Sequence, residues 1–178
     1  FFVLSGYLVT TIVMDGLEKR GNLGFRQFWA NRFRRLEPAQ LTMMVVITLA
    51  VAIGWRDLLS TLRPQIIAGV TGTMNWYLIA NNSSYFEQAA RAPLFRHLWS
   101  LAIEEQFYML WPLTLFLLHK WRRNTLRVVF GLILISFAIN LGLVKDHPTA
   151  AFYNPLARFW ELLIGALLAA MQTYRLGW

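Results

Sequence analysis

The apolar positions of this chain fall in long unbroken blocks rather than in alternating or one-faced patterns. Five blocks stand out, at roughly 1–17, 39–55, 98–118, 128–145 and 158–174. A bilayer-crossing helix needs about 20 predominantly apolar residues, so these blocks predict membrane spans. A sixth stretch, 66–80, is interrupted by Gly69, Thr71, Gly72, Thr73 and Asn75. It reads as a short crossing, a re-entrant segment or an interfacial one. The expected fold class is all-α: a polytopic transmembrane helical bundle with about five or six membrane segments. Asn81-Asn82-Ser83-Ser84 with Pro93, and the stretch 145–155 with Pro148, read as loops.

The chain opens Phe1-Phe2-Val3-Leu4-Ser5-Gly6-Tyr7, with neither Met nor a basic n-region. That is unlike a signal peptide and like a spanning helix entered near its beginning. Arg175-Leu176-Gly177-Trp178 shows no domain-end signal. The expectation is a fragment, residues 1–178 forming part of a larger membrane domain.

Composition agrees with the block pattern: 57% of residues are hydrophobic and 15% charged, against about 25% charged in soluble domains. The absence of Cys removes disulfides, Cys-ligated zinc, iron–sulfur clusters and a cysteine acyl-enzyme. A net charge of +8 raises nucleic acid as a partner, but the distribution argues otherwise. Lys19, Arg20, Arg26, Arg32, Arg34 and Arg35 form one cluster, and Lys120, Arg122, Arg123 and Arg127 another. Both lie between apolar blocks, where cytoplasmic loops of membrane proteins collect positive charge. No zinc-finger, homeodomain or RNA-recognition signature accompanies them, so nucleic acid is not an expected partner. Loop charge slightly favours an arrangement in which 66–80 does not cross.

Three segments carry candidate chemistry. In Phe25–Pro38, helical spacing gathers Phe25, Phe28, Trp29, Phe33 and Leu36 on one face, with Arg32 in its middle. Arg34 falls nearly opposite, towards water or lipid phosphate. Arg35 lies about 60° round from Arg32, so the two guanidinium groups can converge on a phosphate or carboxylate. The bland reading, which the pattern alone favours, is an interfacial helix whose arginines reach lipid headgroups; only the placement of Arg32 argues for more.

In Phe95–Pro112, Glu104 and Glu105 sit at the opening of an apolar span, where an ionisable group is costly and functional by default. Glu104 shares its helix face with Ser100, Tyr108 and Trp111, and Glu105 points about 100° away, so divided roles are expected. Pro112 is expected to kink the helix. The bland alternative is a pair of acidic residues at a helix N-terminus. His97 reads as a structural hydrogen-bonder. In the third segment, Arg158 and Glu161 are spaced i,i+3 for mutual neutralisation, and Gly165 with Ala166 allows close helix packing.

Together these segments resemble the acyltransferase-3 family of polytopic membrane O-acyltransferases. The blocks that carry the resemblance are FFVLSGYLVT at 1–10, FRQFWANRFRRLEP at 25–38, HLWSLAIEEQFYMLWPL at 97–113 and RFWELLIGALLA at 158–169. Asn75-Trp76-Tyr77 and Ser84-Tyr85-Phe86 before Pro93-Leu94 are similar too. The resemblance implies transfer of an acyl group, often acetyl, from cytoplasmic acyl-CoA to a hydroxyl of a cell-surface or lipid-linked carbohydrate. It implies acyl-CoA as co-substrate with no bound cofactor or metal, membrane lipid as surroundings, and a bacterial inner membrane as location.

The family's paired arginines fall on Arg32 and Arg35 and its glutamates on Glu104 and Glu105. Its essential His belongs to a helix preceding the FFVLSG block, and none of His97, His119 and His147 occupies that position. Asn31 stands where many members carry another Arg. The expected site therefore has Glu104 and Glu105 as catalytic carboxylates, with Arg32, Arg35, Arg34, Ser100 and Tyr108 around the substrates. A rival reading from another class is a transporter or acyl-passage module whose buried charges line a path.

Overall fold

The computed structural model describes residues 1–20, 24–83, 93–121 and 123–175. Its helices are α1 (Phe2–Arg20), α2 (Phe25–Gly54), α3 (Leu59–Val70), α4 (Met74–Ala80), α5 (Leu98–Lys120), α6 (Thr125–Val144), α7 (Pro148–Tyr153) and α8 (Pro155–Arg175). Among the described residues there is no strand. This is the all-α expectation, and its physical origin is simple. Lipid offers backbone groups no hydrogen-bond partner, so each apolar block satisfies its own backbone as a helix.

Four described segments are long and apolar enough to cross a membrane: Phe25–Gly54, Leu98–Lys120, Thr125–Val144 and Pro148–Thr173. Large apolar side chains stand exposed on them, including Val45, Leu49 and Ile53 of α2 and Leu134, Ile135 and Leu141 of α6. Such faces suit lipid rather than water. α1 carries Asp15, Glu18 and Lys19 in its last turns and is not among the four.

The stretch 66–80, left open by the sequence, falls in two helices: α3 and α4 have 12 and 7 residues, about 18 and 10 Å of rise against a hydrocarbon core of about 30 Å. The chain turns between them, where Gly72 takes a left-handed φ of 62° that favours glycine. The stretch 145–155 is not all loop, because Pro148 opens α7 at a first-turn position that tolerates its missing N–H. The Ser84–Leu94 motif piece lies mostly outside the described residues.

The chain divides into two compact units, Gly24–Ala102 and Phe1–Leu23 with Ile103–Trp178. In the Gly24–Ala102 unit, the Gln40 side-chain amide donates to the Gly69 carbonyl at 2.9 Å. Gln65 accepts from the Phe95 backbone N–H at 3.3 Å, and Leu62, Met74 and Leu78 fill the interior.

In the other unit α8 is the organiser, packed against both α1 and α6. Phe2 meets Arg158 and Gly6 meets Leu162, so α1 and α8 run in the same direction. Ser136 meets Leu156 and Trp160 while Asn140 meets Ala151, so α6 runs against α8. The α1–α8 crossing is backbone to backbone. A Cβ placed on Gly165 would stand 1.8 Å from the Val3 carbonyl oxygen, and one on Gly6 1.8 Å from that of Leu162. Small Ala166, Ala169 and Ala170 continue the seam, all buried. Helices in lipid associate through such close approach because apolar burial alone gives them little advantage.

Candidate functional site

α5 holds the most enclosed carboxylate. Glu104 is 2% exposed, and one of its oxygens accepts from the Ser5 hydroxyl of α1 at 2.7 Å. The other accepts from the Tyr108 hydroxyl at 3.1 Å, and Ser5 and Tyr108 are themselves 3.1 Å apart. Tyr108 reaches back because i and i+4 share a helix face. One turn on, the Trp111 indole N–H donates to the Thr10 hydroxyl at 2.8 Å. The Thr10 hydroxyl in turn donates to the Gly6 carbonyl at 2.7 Å. Phe107 stacks on Trp111 with centroids 5.4 Å apart, screening this polar seam.

Pairing Ser5 with Glu104 and Thr10 with Trp111 makes α1 and α5 parallel. Lys19, Lys120, Arg123 and Arg127 therefore gather at one end of this unit, and Glu104 lies towards the other.

Glu105 is half-buried, on the neighbouring face about 100° round from Glu104. The two adjacent carboxylates therefore stand in different environments. Ser100 is not drawn into the Glu104 network: its hydroxyl turns to the His97 carbonyl at 3.4 Å, although it stands one turn from Glu104 on the same helix face. His97 lies 3.1 Å from the Met43 sulfur. α5 continues as a helix through Pro112 to Lys120.

Arg32, Arg34 and Arg35 belong to the other unit. Residues 25–38 open a continuous 30-residue helix that runs through Pro38 to Gly54. Arg32 is half-buried, and Arg34 and Arg35 are exposed. Trp29 meets Phe28 edge-on and Phe33 at a tilt, each centroid 5.8 Å away. The rise from Arg35 to Gly54 is about 28 Å, close to the thickness of the hydrocarbon core. With Gly54 at one boundary, Arg35 reaches the opposite headgroup level and Arg32 stands a turn beyond it, an address suited to anionic groups at the membrane surface.

At the first turns of α8, Arg158 and Glu161 form the expected pair at 3.0 Å, with side chains 22% and 20% exposed. Two further features belong to this locus. The Arg158 guanidinium lies 5.7 Å from the Phe2 ring centroid and 5.3 Å from that of Phe152. Ser136 of α6 inserts into α8, its hydroxyl donating to the Leu156 carbonyl at 2.6 Å and accepting from the Trp160 N–H at 2.9 Å. Those are the two ends of one i→i+4 helical bond, and an inserted side chain of this kind locally bends a helix.

A third feature is a cleft of about 480 Å³ between the far ends of α1 and α8, lined by Thr11, Asp15, Glu18, Lys19, Gln172 and Thr173 among others. Among the described residues no group of three His, Asp or Glu is placed to hold a metal ion.

Sequence reasoning missed Ser5, Thr10, Gly6 and Ser136. Their signal was available: each is a small or polar residue inside an apolar block.

Comparison with known proteins agrees with the motif resemblance. The family described as the acyltransferase domain matches residues 1–178. Peptidoglycan O-acetyltransferase OatA of Listeria monocytogenes is 40% identical over 174 residues, 95% of this chain and 28% of that protein. YrhL of Bacillus subtilis is 37% identical over 174 residues, covering 95% of this chain and 27% of that protein. O-acetyltransferase OatA of Staphylococcus aureus is 36% identical over 173 residues, covering 95% and 28%. The chain thus spans little more than a quarter of these relatives' length. No solved structure matches.

Proposed function

Because the chain belongs to the acyltransferase-domain family and is an integral membrane protein, we propose that it works within an enzyme moving an acetyl group from acyl-CoA to a hydroxyl of cell-wall carbohydrate. The relatives named as peptidoglycan O-acetyltransferases support the acceptor class. The observation that carries the reading is the match of residues 1–178 to the acyltransferase domain; Glu104, buried in the bundle and held by two hydroxyl donors, is the polar centre of its unit.

Arg32 and Arg35 engage the phosphates of the CoA donor at the membrane surface, where guanidinium forks suit phosphate. The positive-inside tendency puts the end bearing Lys19, Lys120, Arg123 and Arg127 in the cytoplasm of a bacterium bounded by its inner membrane. The end bearing Glu104 then faces the wall side.

In the reaction the acceptor oxygen attacks the thioester carbonyl, the C–O bond forms, the C–S bond breaks and CoA leaves as the thiol. The acceptor's proton passes through a base to the leaving sulfur. Ser5 and Tyr108 hold Glu104 in one rotamer and thereby fix α5. Glu105, the more accessible carboxylate, orients or shares the proton. The principal base is the His that the family resemblance implies upstream, outside residues 1–178.

The test is transfer of labelled acetyl from acetyl-CoA into wall glycan by membranes carrying the full-length protein. An Arg32→Ala, Arg35→Ala double variant that is present in the membrane yet loses transfer supports the assignment. Full activity in that variant overturns it.

A further inference from the structure

We propose that Arg158 and Glu161, with the Trp160 indole, form the recognition element for the carbohydrate acceptor. The inference deepens the reading above and rests on it for the identity of the acceptor.

The pair is not an ordinary surface bridge. Lys19 and Asp15, also on one helix, are 72% and 59% exposed, whereas Arg158 and Glu161 are only about a fifth exposed. An enclosed ion pair adds little stability, because desolvation offsets the mutual attraction. An apolar pair would hold the α1–α8 seam as well, and charges in a membrane bundle are rare without a task.

The surroundings match a sugar. A pyranose offers hydroxyls that donate to a carboxylate and accept from a guanidinium, and an apolar C–H face that rests on aromatic rings. Glu161 and Arg158 supply the polar half, and the half-buried Phe152 supplies a ring. Trp160 Nε1 is a buried donor with no hydrogen-bond partner among the described residues, although buried polar groups are nearly always paired. Ser136 bonds both ends of the adjoining turn of α8, at Leu156 and Trp160.

Location agrees with chemistry. Phe2 lies one helical turn from Ser5 on α1, and Ser5 bonds Glu104. Phe159 meets Phe107 edge-on with centroids 5.4 Å apart, and Tyr108 follows Phe107 directly. An acceptor held at Arg158–Glu161 thus adjoins the Glu104 network, at the end of the unit away from Lys19 and Lys120.

The experiment uses full-length protein, acetyl-CoA and a soluble peptidoglycan oligosaccharide. KM is measured separately for donor and acceptor, alongside thermal unfolding and direct titration of oligosaccharide in the absence of donor. Glu161→Gln is expected to raise the acceptor KM about tenfold and weaken the titrated binding to match, about one unit in log Kd, leaving the donor KM unchanged. The swap Arg158→Glu with Glu161→Arg restores a bridge and thermal stability without restoring acceptor affinity.

A swap that recovers wild-type acceptor affinity marks the pair as purely structural and overturns the proposal. So does a folded Glu161→Gln protein with acceptor affinity within twofold of wild type, or a wild type that does not bind the oligosaccharide. Oligosaccharide binding that Glu161→Gln abolishes, in a wild type that transfers no acetyl, upholds the recognition element and refutes the enzymatic reading instead.

Discussion

The arginines of α2 and the glutamate of α5 solve opposite problems with charge. Arg34 and Arg35 are exposed and Arg32 half-buried, at the end of a helix that outruns the hydrocarbon core. Glu104 is 2% exposed and has two hydroxyl partners within its own bundle. An exposed guanidinium loses little when its ligand leaves, because water replaces the contact. A buried carboxylate stripped of a donor keeps the desolvation cost. Substitutions at the first site should therefore alter activity alone, and substitutions at the second both stability and activity.

The sharpest way to break this comparison lies in the seam that holds the buried half together. Gly165→Ala puts a methyl group against the Val3 carbonyl, and the expected outcome is loss of folded protein in detergent, an overpacking cost of about 3 kcal/mol or more. Gly131→Ala, with open space around it, should unfold at or slightly above the wild-type temperature, since Ala favours helix by about 1 kcal/mol. If both behave alike in a thermal-shift assay, the close crossing is not what holds α1 to α8.

Next in size is the Arg32→Ala, Arg35→Ala double variant. Its transfer rate should fall about a hundredfold, the ~3 kcal/mol expected for losing two charge-assisted contacts. Its unfolding temperature should match wild type. A destabilised variant would show that the arginines support the fold and erase the contrast with Glu104.

Ser5→Ala removes one of the two hydroxyls on Glu104. The cost should be about 1–3 kcal/mol of stability, with activity falling in step. Threonine at the same position should recover part of both. Trp111→Phe is the mildest test. It keeps a ring against Phe107 but loses the bond to Thr10, about 1 kcal/mol in the same unfolding assay.

Much of the fold was legible in the chain because lipid makes a simple demand: an apolar block of sufficient length must become a helix. The Arg158–Glu161 pair and the role of Gly165 were legible for a local reason, since i,i+3 spacing and small residues act within a turn or at a surface. The division of Glu104 from Glu105 followed from 100° of rotation per residue. The failures were non-local or depended on continuity. Nothing in 25–38 announces that its helix runs unbroken into the next block, because Pro38 reads as a boundary and yet is accommodated inside α2. Ser100 satisfied the helical-face rule but found a carbonyl one turn back instead of the carboxylate.

What the sequence by itself determined is the class of protein and the inventory of its chemistry. Block length and apolarity imposed helices in a membrane, the motif blocks placed the chain among acyltransferases, the arginines were named from helical spacing, and the glutamates from charge at the opening of an apolar span. Only the tertiary structure decided which polar groups meet. Ser5 and Glu104 are 99 positions apart and Ser136 and Leu156 are 20. The same is true of the backbone contact that makes Gly6 and Gly165 irreplaceable. Helical periodicity is a rule within one element. A hydrogen bond between two elements depends on how their faces are rotated and offset, and that is settled only when the packed bundle finds the arrangement in which each buried polar group has its partner.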